Sequence, residues 1–229
     1  AAGIYGVEYE DVTKDQRQIG KVAILALGYQ GAVGAFKSMA AGYGVNLPDS
    51  QIDNIVKNWR EANDHIVKWW YDLERAATKA IKTKQRVNIG QLIFLHKYGH
   101  LWLKLPSGRK LCWPRCKIGK VKKPWGESKG IKYIGENSFT HKVEYLTTYG
   151  GKIAENIIQA IARDLLAAAM VRLEKNGYDV RMHVHDEVVA VLHEGGSLRE
   201  FNNIMAAQPE WAEGLPLGAE GWVGRRYRK

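Results

Sequence analysis

Asp186 and Glu187 stand side by side, just after His185, inside a run from Val180 to Leu192 that is otherwise rich in valine. Two adjacent carboxylates in an apolar, β-prone run cost desolvation energy unless something compensates them. A turn that lifts them to the edge of a cleft would do so, and the sequence therefore predicts strand, turn, strand. Val180, Met182 and Val184 alternate with Arg181 and His183, as a half-buried strand requires. Carboxylate oxygens suit Mg²⁺, which keeps several of its waters and is commonly shared with substrate phosphates. A polar hairpin turn accounts for the same residues without any chemistry.

A second set, Arg17, Lys21, Leu25 and Tyr29, recurs at steps of four. On a helix that spacing keeps all four near one face. Two cations leading to an apolar residue and an aromatic could hold a polyphosphate at one end and a sugar or base at the other. An ordinary solvated helix face is the plainer reading. A third set pairs His96 with His100 and Cys112 with Cys116, each with three residues between. That spacing is acceptable for a structural zinc. Chance spacing, and a plain strand expected through Trp113, Pro114 and Arg115, argue against it.

The elements that must position these residues are legible in part. Thr13 and Gln16 have capping-box spacing before an apolar-rich run, which predicts a helix over about 14–28. Pro48-Asp49-Ser50 opens a second helical region, where Ile52, Ile55, Val56, Trp59, Ile66, Trp69, Trp70 and Leu73 recur at helical spacing and read as core. From Val87 to Tyr133 the period shortens. Pro106-Ser107-Gly108 reads as a hairpin turn between Leu101–Leu103 and Leu111–Trp113, and the Gly-, Pro- and Lys-rich stretch 117–130 as an exposed loop. Ile157, Ile161 and Leu165 place a helix over 153–175, with Gly177 ending it. The pattern has no internal repeat and gives an α+β fold: a helical first half, then a helix and an antiparallel hairpin.

The chain has 229 residues, with 45% hydrophobic and 25% charged, an ordinary globular composition large enough for a hydrophobic core. Its formal charge of +10 is localised. Sixteen of the 34 Lys and Arg residues, but only two of the 24 acids (Glu127 and Glu136), fall between Lys79 and Lys142. Tyr98, Trp102, Trp113, Trp125 and Tyr133 are interleaved with them. Cations for phosphates and flat rings for bases or sugars together suit nucleic acid; a solvated basic face is the competing reading. The longest wholly apolar run, Leu165–Val171, is seven residues, against the roughly 20 that cross a bilayer. Neither a membrane partner nor a signal peptide is expected. Two cysteines cannot make a disulfide framework, so a reducing, cytoplasmic compartment is the expectation. The missing initiator Met allows the chain to be part of something longer.

In order along the chain, four segments resemble the C-terminal half of family A DNA polymerases, the DNA polymerase I type, in a bacteriophage version. DVTKDQRQIGKVAILALGYQG resembles the family's nucleotide-binding helix and LPSGRKLCWPR its Leu-Pro-Ser-Gly-Arg hairpin. ENIIQAIARDLLAAAMVRL resembles the primer-template helix, HVHDEVVAVL the catalytic hairpin, and the ending GLPLGAEGWVGRRYRK that of phage members.

The resemblance implies a mainly helical fingers subdomain at 1–142, including the basic hairpin and loop region, and the C-terminal part of the palm at 143–229. It implies that Arg17 and Lys21 bind the triphosphate of an incoming deoxynucleotide, with Lys21 also a proton donor to leaving pyrophosphate. Leu25 would meet the sugar and Tyr29 the templating-base end. Gln159, His185 and Arg109 would contact primer-template DNA. Asp186, with Glu187 beside it, would hold Mg²⁺ in a two-metal site for attack of the primer 3′-hydroxyl on the α-phosphate.

Two residues depart from the family pattern. Leu25 stands where the family usually has Phe or Tyr, and Gln30 replaces the Gly that usually follows the motif Tyr. The family's other metal-binding Asp lies upstream of the segment that begins here at Ala1. None of Asp11, Asp15, Asp49 or Asp164 has a matching context. The expectation is a DNA polymerase component that is inactive alone and completed by an N-terminal half, on the same gene or a separate chain. The alternative is a non-catalytic nucleic-acid-binding module that retains the polymerase fold. Phage encoding would place the protein in the host cytoplasm.

Overall fold

A single helical turn, α1 (Ala2–Tyr5), leads to the capping box at Thr13. Gln16 N–H donates to the Thr13 hydroxyl at 3.2 Å, and Thr13 N–H donates to Gln16 Oε1 at 2.9 Å. Two otherwise unpaired donors are thereby satisfied where the helix begins. This starts α2 (Lys14–Leu27) in the computed structural model, which describes residues 1–123 and 126–227. Trp125 of the basic stretch lies outside the described residues. The fold is mixed helix and antiparallel sheet, as the sequence pattern predicts.

Two compact units are present, one of residues 1–104 and 110–156, the other of 105–109 and 157–229. This division by packing is separate from the functional division at 142/143 that the resemblance implies.

In the first unit, α2 is followed by α3 (Val33–Gly42), α4 (Asp49–Ala62) and α5 (Asp64–Thr83). The helical region predicted from residue 48 is thus two helices. The break is at Asn63, whose backbone leaves the helical region and whose side-chain amide donates to Trp59 O at 2.8 Å. Trp59 and Trp70 stack across it with ring centres 5.9 Å apart. Ile52, Ile55, Val56, Trp59, Trp70 and Leu73 are buried core, while Ile66 and Trp69 of the same stripe are half-buried.

A four-stranded antiparallel sheet follows, in the order β1 (Val87–Ile89), β2 (Leu92–Lys97), β3 (His100–Lys104), β4 (Lys110–Trp113). Its inner face carries Leu92, Phe94, Leu101, Leu103 and Trp113. The expected hairpin turn lies between β3 and β4.

The stretch 117–130 corrects the loop expectation. It forms β5 (Lys117–Lys123) and the first part of β6 (Gly126–Glu136), a hairpin that β7 (Val143–Thr148) extends to three strands. Glycine and lysine content suggests a loop, but Gly119 and Gly130 are directly paired where neighbours leave no room. A Cβ on Gly119 would lie 3.0 Å from Lys132 Cδ, and one on Gly130 2.7 Å from Val121 Cγ2. The strand expected through Trp113, Pro114 and Arg115 is also corrected: β4 stops at Trp113, and Arg115 takes the left-handed conformation (φ 45°).

Helix α6 (Gly150–Lys175) begins in the first unit against α5 and the segment that follows α2. Gly150 N–H donates to Glu74 Oε2 (3.1 Å) and Gly151 N–H to Gln30 Oε1 (2.8 Å), so two side chains cap its start. There is no room for anything larger than glycine. A Cβ on Gly150 would lie 2.0 Å from Trp70 O, and one on Gly151 2.2 Å from Tyr29 O.

The second unit contains the rest of α6, the hairpin β8 (Asp179–Val184) and β9 (Glu187–Val191), α7 (Leu198–Ala206) and the C-terminal stretch. Tyr178 is its buried centre. Its ring meets His193 and Phe201 edge-on, and its hydroxyl donates to Glu200 Oε2 at 2.8 Å.

The clash at Gly151 is with backbone and cannot be relieved by a rotamer change. Gly151→Ala is expected to lower unfolding free energy by at least about 2 kcal/mol. A Cβ on Gly34, in α3, would meet nothing within 4 Å, and Gly34→Ala should be neutral or stabilise by up to about 1 kcal/mol. Urea unfolding of the two variants checks the contrast.

Candidate active site and nucleic-acid interface

The buried side of α2 is formed by Gly20, Val22, Ala23, Ala26 and Leu27. That side turns Arg17, Lys21 and Leu25 to solvent, while Tyr29 is half-buried just beyond the helix end. The three predicted residues within α2 therefore share an exposed face, two cations followed by an aliphatic side chain, and Tyr29 lies past the helix end. Lys21 Nζ sits 5.5 Å from the ring centre of Tyr43, which follows α3. Cation–π attraction holds the ammonium there without neutralising it. Burial raises the Tyr29 phenol pKa, with Glu155 adding to the effect; Tyr149 is raised in the same way, also with Glu155.

Gln30, a departure from the family pattern, occupies the left-handed region (φ 69°). Glycine reaches that conformation without steric cost, whereas glutamine does not. Here its side-chain oxygen caps α6 at Gly151, and Trp70 Nε1 donates to Gly28 O at 3.0 Å beside it. These bonds offset the strain and fix the helix end that carries Tyr29.

In the second unit the predicted strand–turn–strand is present. Val184 pairs with Glu187, leaving His185 and Asp186 as a two-residue turn. His185 has a positive φ of 54°, at a position that favours glycine. His185, Asp186 and Glu187 are all exposed. The carboxylates thus escape desolvation by sitting at the hairpin tip, as expected from the valine-rich run around them. Tyr227 donates from its hydroxyl to Glu187 Oε2 at 3.0 Å, and that bond raises its own pKa. Asp186, Glu187, Trp222, Arg225, Arg226 and Tyr227 border an open cleft of ≈ 860 Å³. The C-terminal stretch is therefore part of the carboxylate site. Sequence reasoning assigns it no site residue, since nothing in Gly-Arg-Arg-Tyr indicates a hydrogen bond 40 residues away.

Arg109 and Gln159 belong to the same unit. Arg109 Nε donates to Asp164 Oδ1 at 2.5 Å and its Nη2 to Ala160 O at 2.8 Å. Ser107 donates to the other oxygen of Asp164 at 2.5 Å. The Leu-Pro-Ser-Gly-Arg tip is thus fastened to α6 by one carboxylate that is only 11% exposed. Asp164 is a positioning residue that sequence reasoning considers only as a metal ligand. Gln159 faces solvent on α6, with exposed Asn156 and Arg163 on neighbouring turns.

The oxygen donors of Asp186 and Glu187 fit Mg²⁺ in kind, but they are only two carboxylates. Among the described residues no group of three or more His, Cys, Asp or Glu side chains could hold a metal ion. This also bears on the zinc alternative. Strand alternation places His96 with Leu101 on the inner sheet face and His100 with Lys97 on the outer one. Both ring nitrogens of His96 are occupied, by Lys84 Nζ at 3.0 Å and Cys116 O at 2.9 Å. Cys116 is buried and Cys112 exposed. Matched sequence spacing does not converge here.

No protein-family model matches the chain. It is similar to a DNA polymerase of Bacillus phage SP02, with 43% identity over 233 residues; the match takes in all of this chain and 35% of that protein. The chain thus spans just over a third of the length of the curated relative. No described helix is long and apolar enough to cross a membrane.

Burial pushes the Cys116 thiol pKa up to about 12. Roughly one part in ten thousand is thiolate at pH 8. A thiol reagent should therefore label Cys112 in the folded chain and reach Cys116 only on unfolding. Equal labelling rates in the native protein would contradict the burial described.

Proposed function

We propose that the chain is the fingers and C-terminal palm of a family A DNA-directed DNA polymerase. The observation that carries this reading is the 43% identity, along the entire chain, to a phage DNA polymerase. The exposed cation face of α2 and the carboxylate-bearing β8–β9 turn support it, because nucleotidyl transfer needs both kinds of group.

On this reading Arg17 and Lys21 hold the triphosphate of a deoxynucleotide, neutralising charge that grows as pyrophosphate leaves. Lys21 also gives that leaving group a proton. Leu25 packs on the deoxyribose, and Tyr29 closes the templating-base end. Gln159 reads the minor-groove edge of the primer-template. His185 lies by the primer terminus, and Arg109, clamped by Asp164, steadies the hairpin against DNA. The primer 3′-oxygen forms a bond to the α-phosphorus while the bond to the bridging oxygen breaks. Mg²⁺, when bound by Asp186 and Glu187, supplies activation of the hydroxyl and charge stabilisation on the leaving oxygens. Tyr227 holds one Glu187 oxygen and so restricts how that carboxylate can turn.

Two carboxylates from one hairpin do not complete a two-metal site, so the reading includes a further Asp from an N-terminal polymerase half. A module that only bound nucleic acid would gain nothing from exposed adjacent acids, which repel phosphate unless a cation is bound.

Primer extension with Mg²⁺ and four deoxynucleotides tests this. The chain alone should be inactive. Mixed with a family A fragment carrying the missing Asp, it should extend primer, and Asp186→Ala should abolish that synthesis. Extension by the chain alone would overturn the split-site part. A stable DNA-binding complex without synthesis would favour the binding module.

Leu25 gives a second test in the same mixture. A flexible aliphatic contact in place of a ring should change discrimination between deoxy- and dideoxynucleotides. Leu25→Phe and Leu25→Tyr should each shift the incorporation ratio away from that of the parent. Identical ratios in all three would remove Leu25 from the sugar contact.

A further inference from the structure

The sheet β5–β6–β7 opposes lysine to lysine. Lys117 is directly paired with Lys132, and Lys120 with Lys129; in the neighbouring sheet Lys104 is paired with Lys110. Like charges directly opposite on adjacent strands are destabilising. One such pair would be ordinary, but three in one stretch need a compensating partner. Lys120 has Glu127 at 3.5 Å. Lys117 and Lys132 have instead the ring of Tyr145, with their ammonium nitrogens 4.2 and 5.8 Å from its centre. A phenol orders these cations without cancelling their charge.

The register places Lys117, Lys132, Tyr145, Thr147 and Val143 on one face of this sheet. Tyr145 is 40% exposed and Val143 73%. The one acid on this face, Glu136, lies at its end and contacts His141 Nδ1 at 3.1 Å. In the turn that joins β6 to β7, Phe139 is 92% exposed. The turn that presents Phe139 is ordered by Asn137: its side-chain oxygen accepts from Phe139 N–H at 2.9 Å and Thr140 N–H at 3.3 Å. Asn137 N–H donates to Lys142 O at 2.8 Å, and His141 N–H to Asn137 O at 2.8 Å. The turn holds this ring away from the sheet and into solvent. It suits a flat apolar partner.

We infer that this face and the adjoining β6–β7 turn bind single-stranded DNA, with a base stacked on Phe139 and backbone phosphates at Lys117 and Lys132. Charge complementarity selects a polyanion, and the exposed ring selects one with unpaired bases, because bases within a duplex already stack on each other. The inference deepens the proposed function, on which it rests for the choice of DNA; it gives unpaired template a surface that uses none of Arg17, Lys21, Asp186 or Glu187.

The test is fluorescence anisotropy of the full 229-residue chain with labelled oligothymidylate and with a blunt duplex of equal length, at several salt concentrations. Phe139→Ala should weaken single-strand binding at least about fivefold and leave duplex binding unchanged, with Phe139→Tyr restoring it. Replacing Lys117 and Lys132 together by Ala should lower the slope of log affinity against log salt by about 1.4. Unchanged single-strand binding in both variants would overturn the site, and equal losses on duplex would overturn the single-strand assignment. Asp186→Ala separates the two readings. It should lose primer extension and keep oligothymidylate binding, whereas failure of primer extension by the parent chain in the reconstituted mixture, with oligothymidylate binding retained, counts against the polymerase reading alone.

Discussion

The first unit depends on a contact that excludes side chains. Gly150 and Gly151 begin α6 so close to the carbonyls of Trp70 and Tyr29 that a single methyl would collide with backbone. Because the contact is backbone to backbone, it fixes distance as rigidly as packing can. It also brings the helix's first unpaired N–H groups within reach of Glu74 and Gln30, which satisfy them. The Trp70 indole ties the same place to Gly28, and Arg60 Nη2 donates to Gly31 O at 3.0 Å. Trp70 and Arg60 thus hold the short segment after α2 at Gly28 and Gly31, while Gln30 of that segment reaches α6. The orientation of the Arg17–Lys21–Leu25 face follows from where that segment is held.

This explains how Gln30 serves where a glycine would be expected. The local cost is a left-handed backbone on a residue with a Cβ. The return is a fixed acceptor for Gly151, which glycine could not supply. The helix terminus is therefore defined by a tertiary hydrogen bond across 121 residues, beyond what local propensity determines.

What is legible in the sequence is what local chemistry determines. The Thr13–Gln16 box, the period of four in α6 and the two-residue tip at His185–Asp186 each follow from residues close in the chain. The stretch 117–130 misleads because lysine and glycine favour loops only when nothing pairs with them. Ile118 and Ile131 face each other across the strands, and Gly119 and Gly130 sit under neighbouring side chains, which becomes apparent only once the register is known. The same holds for the site. Arg17, Lys21 and Leu25 share a face because a helix makes it so, whereas Tyr29 lies past the helix end. Asp164 beneath Arg109 and Tyr227 beside Glu187 are partners 55 and 40 positions away, set by the fold alone.

The departures from local consistency are not scattered evenly. The core follows ordinary rules, with buried aliphatic and aromatic side chains on every inner face. The local costs collect elsewhere: a histidine in a conformation suited to glycine, two carboxylates at one hairpin tip, lysines facing lysines, a phenylalanine held out in water. On the proposed reading, the acids, the lysines and the exposed ring would each meet a different part of the same kind of ligand. Cations relieve paired acids, phosphates relieve paired lysines, and bases cover exposed rings. Sites that violate folding consistency while the surrounding elements satisfy it are where function is to be sought. On the polymerase reading proposed above, those costs share a single chemistry, that of a metal-assisted reaction on a polyanion carrying aromatic bases.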